Sequence, residues 1–108
     1  MTPLTPLSLQ VLLALADEDR HGYAIIKEIA RQTHGQLTPG TGALYTSIQR
    51  LVEERLIEVS HRRADPEEDD ARRRYYKLTT AGRAALAAET ARLAEWVAVA
   101  RRKKVRFA

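Results

Sequence analysis

The chain has 108 residues, 44% of them hydrophobic, which suits one folded unit with a real but modest core. Lys and Arg number 18 against 14 Asp and Glu, a net charge of +4 that permits a polyanionic partner without requiring one. The absence of cysteine excludes disulfides and thiolate metal sites, and MTPLTPLSLQVLLALADEDR has neither a basic n-region nor an apolar run long enough for a bilayer. A soluble cytoplasmic protein with no membrane contact is expected.

A first helix should start with Thr5 as N-cap and Pro6 at the first helical position, where the missing N–H would be unsatisfied anyway. Leu9, Leu12, Leu13 and Ala16 form its apolar face, widened by Val11 and Leu15, so it should be buried against more than one neighbour. Asp17-Glu18-Asp19-Arg20 breaks the pattern and reads as a turn. In HGYAIIKEIARQT the residues Tyr23, Ile26, Ile29 and Ala30 recur at helical spacing, with Ile25 adjoining them. His21 falls at the start of this second helix, and Gly35 is expected in the left-handed conformation that ends it. A third helix runs from about Thr41 to Glu54, with Thr38 or Thr41 as N-cap after the punctuation of Pro39 and Gly40. Its period turns Leu44, Ile48, Leu51 and Val52 to the core. The opposite side carries Gly42, Ala43, Thr46, Gln49 and Arg50, with Tyr45 on the edge.

After Leu56 the period becomes two. IEVSHR sets Ile57, Val59 and His61 against Glu58, Ser60 and Arg62, as a half-buried strand does, and RYYKLT can form its antiparallel partner with Tyr75 and Tyr76 on opposite faces. The charged RADPEEDDARR between them is too long for a tight hairpin and reads as the tip of a wing. Thr79 or Thr80 then caps a long alanine-rich helix followed by the basic tail Arg101-Arg102-Lys103-Lys104-Val105-Arg106. The expected fold is mainly α with a small β-hairpin: a winged helix-turn-helix with an added long C-terminal helix. Residues 1–79 would be the DNA-binding part, and residues 80–108 the dimerisation helix and tail.

Three strings carry a closer resemblance. LSLQVLLALADEDRHGYAIIKEI, GALYTSIQRLVEERLIE and RRRYYKLTTAGRAAL occur in the order of the first two helices, the recognition helix, and the second wing strand with the start of the last helix in the PadR-like transcriptional regulators. Over about residues 5 to 100 the chain resembles the short form of that family, with a single C-terminal helix. Thr46 stands where a proline is common after the tyrosine, and Arg55 where a glycine often precedes the Leu-Ile pair. The resemblance implies a homodimer on double-stranded DNA.

For DNA binding the expected residues are Thr41, Gly42, Ala43, Tyr45, Thr46, Gln49 and Arg50 of the third helix and Arg62, Arg63, Arg72, Arg73 and Arg74 at the wing bases. Gln49 can pair bidentately with adenine, the Thr46 methyl can meet a thymine methyl, and Gly42 and Ala43 let the backbone approach. Tyr45 either donates to a phosphate or is a core-edge aromatic. Arg50 is either a backbone clamp or a partner of Glu53 or Glu54. The five acids of the wing tip would be repelled by a minor groove, and DPEEDD lacks the spacing and glycine of a calcium loop, so no metal is expected. His21, His34 and His61 are scattered without a nucleophile or second ligand, so neither catalytic residues nor a cofactor is expected. Leu86, Leu93, Trp96, Val97 and Ala100 of the last helix form the expected dimer interface, their alternative being docking onto the first helix. Trp96 either packs there or stacks on a planar aromatic effector. The competing reading of the whole is a protein-interaction module without sequence-specific DNA binding, but its third helix should then expose large apolar anchors, which Gly42, Thr46 and Gln49 are not.

Overall fold

The computed structural model describes residues 4–61 and 74–107. Helix α1 (Pro6–Ala14) opens with the Thr5 hydroxyl accepting from the Ser8 N–H and with Pro6 in the first turn. Strand β1 (Arg20–His21) follows, then α2 (Gly22–Gln32), α3 (Thr41–Glu53), β2 (Ile57–Ser60), β3 (Tyr75–Leu78) and α4 (Thr80–Arg102). The strands form one antiparallel sheet in the order β1-β3-β2. A two-stranded hairpin was the sequence expectation. The third strand comes from Arg20–His21, where the end of a turn and the start of the second helix were expected: Arg20 pairs with Tyr76 and His21 with Tyr75.

Val11, Leu12, Ala14 and Leu15 of α1, Ile25 and Ile29 of α2, Leu44, Ile48 and Leu51 of α3, Ile57, Tyr76 and Leu86 make the core. The buried line on α1 therefore runs through Ser8, Val11, Leu12 and Leu15, and Leu9, Leu13 and Ala16 are only partly covered. Ser8 is buried because its hydroxyl meets that of Ser47 on α3 at 3.1 Å, a neutral pair that satisfies two polar groups inside the α1–α3 contact. Similar shifts occur elsewhere. Tyr23, expected on the apolar stripe of α2, is 61% exposed, because Gly22, Ile25 and Ile29 define the face that packs. Val52 lies at the edge of the α3 contact and is 36% exposed. Val59 shares a face with Ile57 but sits on the edge strand β2 and is exposed, whereas Ser60 is buried and donates to the Asp19 carboxylate at 2.5 Å. His61 is exposed just beyond the end of β2.

The joints are specified by polar groups. Arg20 has an 11% exposed side chain whose Nε donates to the Ala14 carbonyl at 2.8 Å, and its guanidinium lies 3.0 Å from Glu18 and 3.6 Å from Glu28. One cation thus closes the C-terminus of α1, fixes the turn and ties it to α2, where a fork of donors is needed. The His21 Nδ1 accepts from the Ala24 N–H at 3.2 Å and is the N-cap of α2. At the other end of α2, Gly35 has the expected left-handed conformation (φ 78°), and His34 before it does too (φ 52°). The Gly35 N–H reaches back to the Ala30 carbonyl at 2.8 Å, closing a Schellman-type end.

The first turn of α4 is fixed just as tightly. Thr79 caps it by accepting from the Gly82 N–H at 2.9 Å and donates its own hydroxyl to the Arg55 carbonyl at 2.7 Å. A Cβ at Gly82 would overlap the Leu56 carbonyl, so glycine lets α4 cross the exit of α3 in direct backbone contact. Leu86 is 7% exposed and belongs to the core of its own chain. At 23 residues α4 extends roughly 35 Å, well past the residues that cover Leu86.

Candidate nucleic-acid interface

The core contacts of α3 decide what its other side can do. With Leu44, Ser47, Ile48 and Leu51 buried, Thr41, Gly42, Ala43, Thr46, Gln49 and Arg50 are all exposed. The helix therefore presents small and hydrogen-bonding side chains outward over three turns. Its N-cap is Gly40, not Thr38 or Thr41, because the chain enters in extended conformation at Gly40 (φ −71°, ψ 160°), whose carbonyl takes the first helical bond from Leu44. No side chain caps this end. Thr41 is instead the first helical residue and is exposed. Arg50 makes no ion pair with Glu53 or Glu54 among the described residues, which leaves its guanidinium available outward.

Tyr45 is half-buried and packed against the core, with its hydroxyl over Gly22 at the start of α2, where a Cβ would overlap it. Gly22 thus allows the first turns of α2 and α3 to meet, which explains in physical terms why a glycine precedes Tyr23. Among the described residues no buried side-chain polar atom lacks a partner, the Tyr45 hydroxyl included. Tyr76 lies near it on β3. Burial pushes the Tyr76 hydroxyl above the ordinary tyrosine range, the charge of Arg74 opposes this, and the neighbouring Tyr45 hydroxyl adds to the rise. Tyr76 is therefore a neutral structural group at physiological pH.

On the wing, Arg74 is exposed at the foot of β3 beside Tyr76. Arg62, Arg63, Arg72 and Arg73, and the acidic run from Asp65 to Asp70, lie outside the described residues. The described end of the wing is joined to the segment between α1 and α2 through Ser60 and Asp19 and through the edge-to-face contact of Tyr75 with His21, at 5.2 Å between ring centroids. On α4, Leu93 and Ala100 are partly covered, while Trp96 is 58% and Val97 41% exposed. The Arg92 guanidinium lies 5.0 Å from the Trp96 ring centroid. Among the described residues there is no group of His, Asp or Glu arranged to hold a metal, and no helix long and apolar enough to cross a membrane.

Sequence reasoning missed Ser47, Gly22, Gly82 and Arg20 as positioning residues. Periodicity alone carries no signal for a polar pair inside a helix contact or for a backbone approach.

Three helices, a three-stranded wing sheet and a polar outward α3 define a winged helix-turn-helix. Residues 11–88 match the model of the transcriptional regulator PadR-like family, and the chain belongs to that family. It is 40% identical over 53 residues to the transcriptional regulator YqjI of Escherichia coli, covering 49% of this chain and 26% of that protein. The chain thus spans about a quarter of the length of that relative. The fold is similar to that of a PadR family transcription regulator from Clostridium difficile, with 21% identity, a TM-score of 0.72 and coverage of 91% of this chain and 97% of that one. It is also similar to PadR of Bacillus subtilis, solved in complex with operator DNA, with 19% identity, a TM-score of 0.64 and coverage of 78% and 46%. As a PadR-like transcriptional regulator it is not an enzyme.

Proposed function

We propose that this chain is a sequence-specific regulator of double-stranded DNA, a homodimeric repressor that occludes a promoter at a dyad operator. The observation that carries this reading is the outward face of α3: Thr41, Gly42, Ala43, Thr46, Gln49 and Arg50 exposed together, opposite a fully buried stripe. That composition suits a major groove and is poor in the large apolar anchors a protein-binding helix needs. The operator complex of the Bacillus subtilis relative supports it by analogy of fold.

In this reading Thr46 and Gln49 read base edges, and Tyr45, Arg50 and Arg74 hold phosphates, as would Arg62, Arg63, Arg72 and Arg73. The outer half of α4, around Leu93, Trp96, Val97 and Ala100, pairs two copies so that two recognition helices enter successive major grooves ~10 base pairs apart. A planar aromatic effector stacked at Trp96 would shift the α4 pair and with it the spacing of the two helices. Binding to duplexes selected from random sequence tests the core of the reading. The logarithm of the binding constant should fall steeply with the logarithm of salt concentration, and a slope near zero would sink the proposal. Gln49→Ala should flatten the preference among selected sequences, whereas Arg74→Ala should weaken binding to all of them alike.

A further inference from the structure

This inference rests on the DNA-binding reading and concerns the basic segment at the end of α4, which that reading leaves unused. Five of the 18 Lys and Arg residues, Arg101, Arg102, Lys103, Lys104 and Arg106, lie within six positions, and no acid follows Glu95. The rest of the chain therefore carries 13 basic against 14 acidic residues, a charge of −1. The whole positive balance of the protein sits on this segment. Every residue from 101 to 107 is exposed, and none of the five cations is in an ion pair among the described residues.

The helix macrodipole accounts for cations in the last turn of α4, where Arg101 and Arg102 stand, but its field fades within that turn. Lys104 and Arg106 lie beyond it. Nor does the chain run on as an extended arm. Lys104 takes the left-handed conformation (φ 60°), the Val105 N–H returns to the Ala100 carbonyl at 2.9 Å, and the Arg101 guanidinium lies 5.4 Å from the Phe107 ring centroid. The cations are thus gathered around one end of the helix, beside a shallow hollow lined by Arg101, Val105, Arg106 and Phe107. α4 starts in contact with Leu56 at the exit of α3, and its 23 residues carry the cluster roughly 35 Å from there. Phosphates that meet it belong to a different stretch of polyanion from the one on α3.

Duplex DNA fits five unpaired cations better than other anionic surfaces do. Its phosphates repeat every ~1.7 Å along the axis, lysine is depleted at protein–protein interfaces, and Val105 and Phe107 alone offer too little apolar surface to anchor in a lipid boundary. We propose that residues 101–106 form a second, sequence-independent DNA-binding surface, which holds another stretch of duplex while α3 occupies the operator. The protein then bridges two stretches of DNA.

The test loads the whole chain onto an immobilised duplex selected from random sequence, washes it, and offers a labelled mixed-sequence duplex. The unaltered protein should capture the second duplex, with a log–log salt slope of about −4 for five phosphate contacts. Changing all five cations to Gln should cut capture per bound protein by ~10-fold or more, with melting temperature and preference for the selected duplex unchanged. Arg106→Gln alone should make the slope shallower by about 1, and changing the three arginines to Lys should preserve capture. Unaltered protein that captures no second duplex, or a glutamine variant that captures it fully, overturns the proposal. Capture of anionic phospholipid vesicles in place of the duplex overturns it too and makes the segment a membrane contact. If selection yields no preferred duplex, the reading of α3 fails on its own, and direct titration of the mixed duplex with the unaltered and glutamine proteins still decides the role of the segment.

Discussion

The two halves of α4 share a helix and an alanine-rich composition but meet opposite surroundings. Residues 80–90 approach the rest of the chain through their smallest side chain, Gly82 against the Leu56 carbonyl, and bury Leu86 in the core. Residues 91–102 hold the larger apolar groups and leave them uncovered: Trp96 is 58%, Val97 41% and Val99 36% exposed. Large side chains without cover on a helix otherwise made of alanine mark a surface that another body completes, whereas small ones without bulk mark a backbone contact already made. The contrast divides the stripe read from the sequence. Leu86 stabilises the single chain, and the dimer proposal falls on Leu93, Trp96, Val97 and Ala100.

The inner half can be broken most severely at Gly82. A methyl group there meets backbone, which cannot rotate away, so Gly82→Ala should cost about 3 kcal/mol or more in urea unfolding. Leu86→Ala should follow at about 2–3 kcal/mol, since a core leucine loses its transfer energy and leaves a cavity. The matching change in the outer half, Trp96→Ala, sharpens the comparison. It should leave the unfolding of the isolated chain within ~0.5 kcal/mol, while removing the rise of melting temperature with protein concentration that a folded dimer produces. If Leu86→Ala and Trp96→Ala both acted only through concentration, the division of α4 would be wrong. Thr79→Ala is expected to cost about 1 kcal/mol, because it removes the cap of α4 and the donor to the Arg55 carbonyl together.

Chemistry confined to one residue and its helix was readable in the sequence. Thr5 with Pro6, Thr79 and the left-handed Gly35 all follow from local rules that the rest of the molecule does not override. The outward side of α3 was readable too, because fixing Leu44, Ile48 and Leu51 inward leaves Thr46, Gln49 and Arg50 no other place to point. What escaped depends on a second element. Tyr23, Val52 and Val59 each sit at the border of an apolar stripe, and whether a border residue is covered is decided by the width of its neighbour rather than by its own period. β1 is two residues long, too short to show any alternation, and forms because β3 offers it a ladder. Gly22 and Gly82 look alike as helix-opening glycines, yet one admits a tyrosine hydroxyl and the other a carbonyl.

The smallest expected effect probes the same joint that anchors the inner half of α4. Arg55 ends α3 in the left-handed conformation (φ 61°), with the Leu56 N–H reaching back to the Leu51 carbonyl at 3.0 Å. This is the position where the family resemblance suggested glycine, and the reason is now physical: a side chain there crowds the following carbonyl, whereas glycine takes the conformation freely. Against that relief stands the greater freedom glycine gives the unfolded chain. The strain is the larger of the two, so Arg55→Gly should stabilise by about 0.5–1 kcal/mol. The carbonyls of Arg55 and Leu56 receive the Thr79 hydroxyl and N–H, so the gain requires that a freer residue 55 keep both bonds. Combining Arg55→Gly with Thr79→Ala decides this: additive changes mean the turn and the cap act independently, and a gain that vanishes in the double variant means the cap holds the strained turn in place.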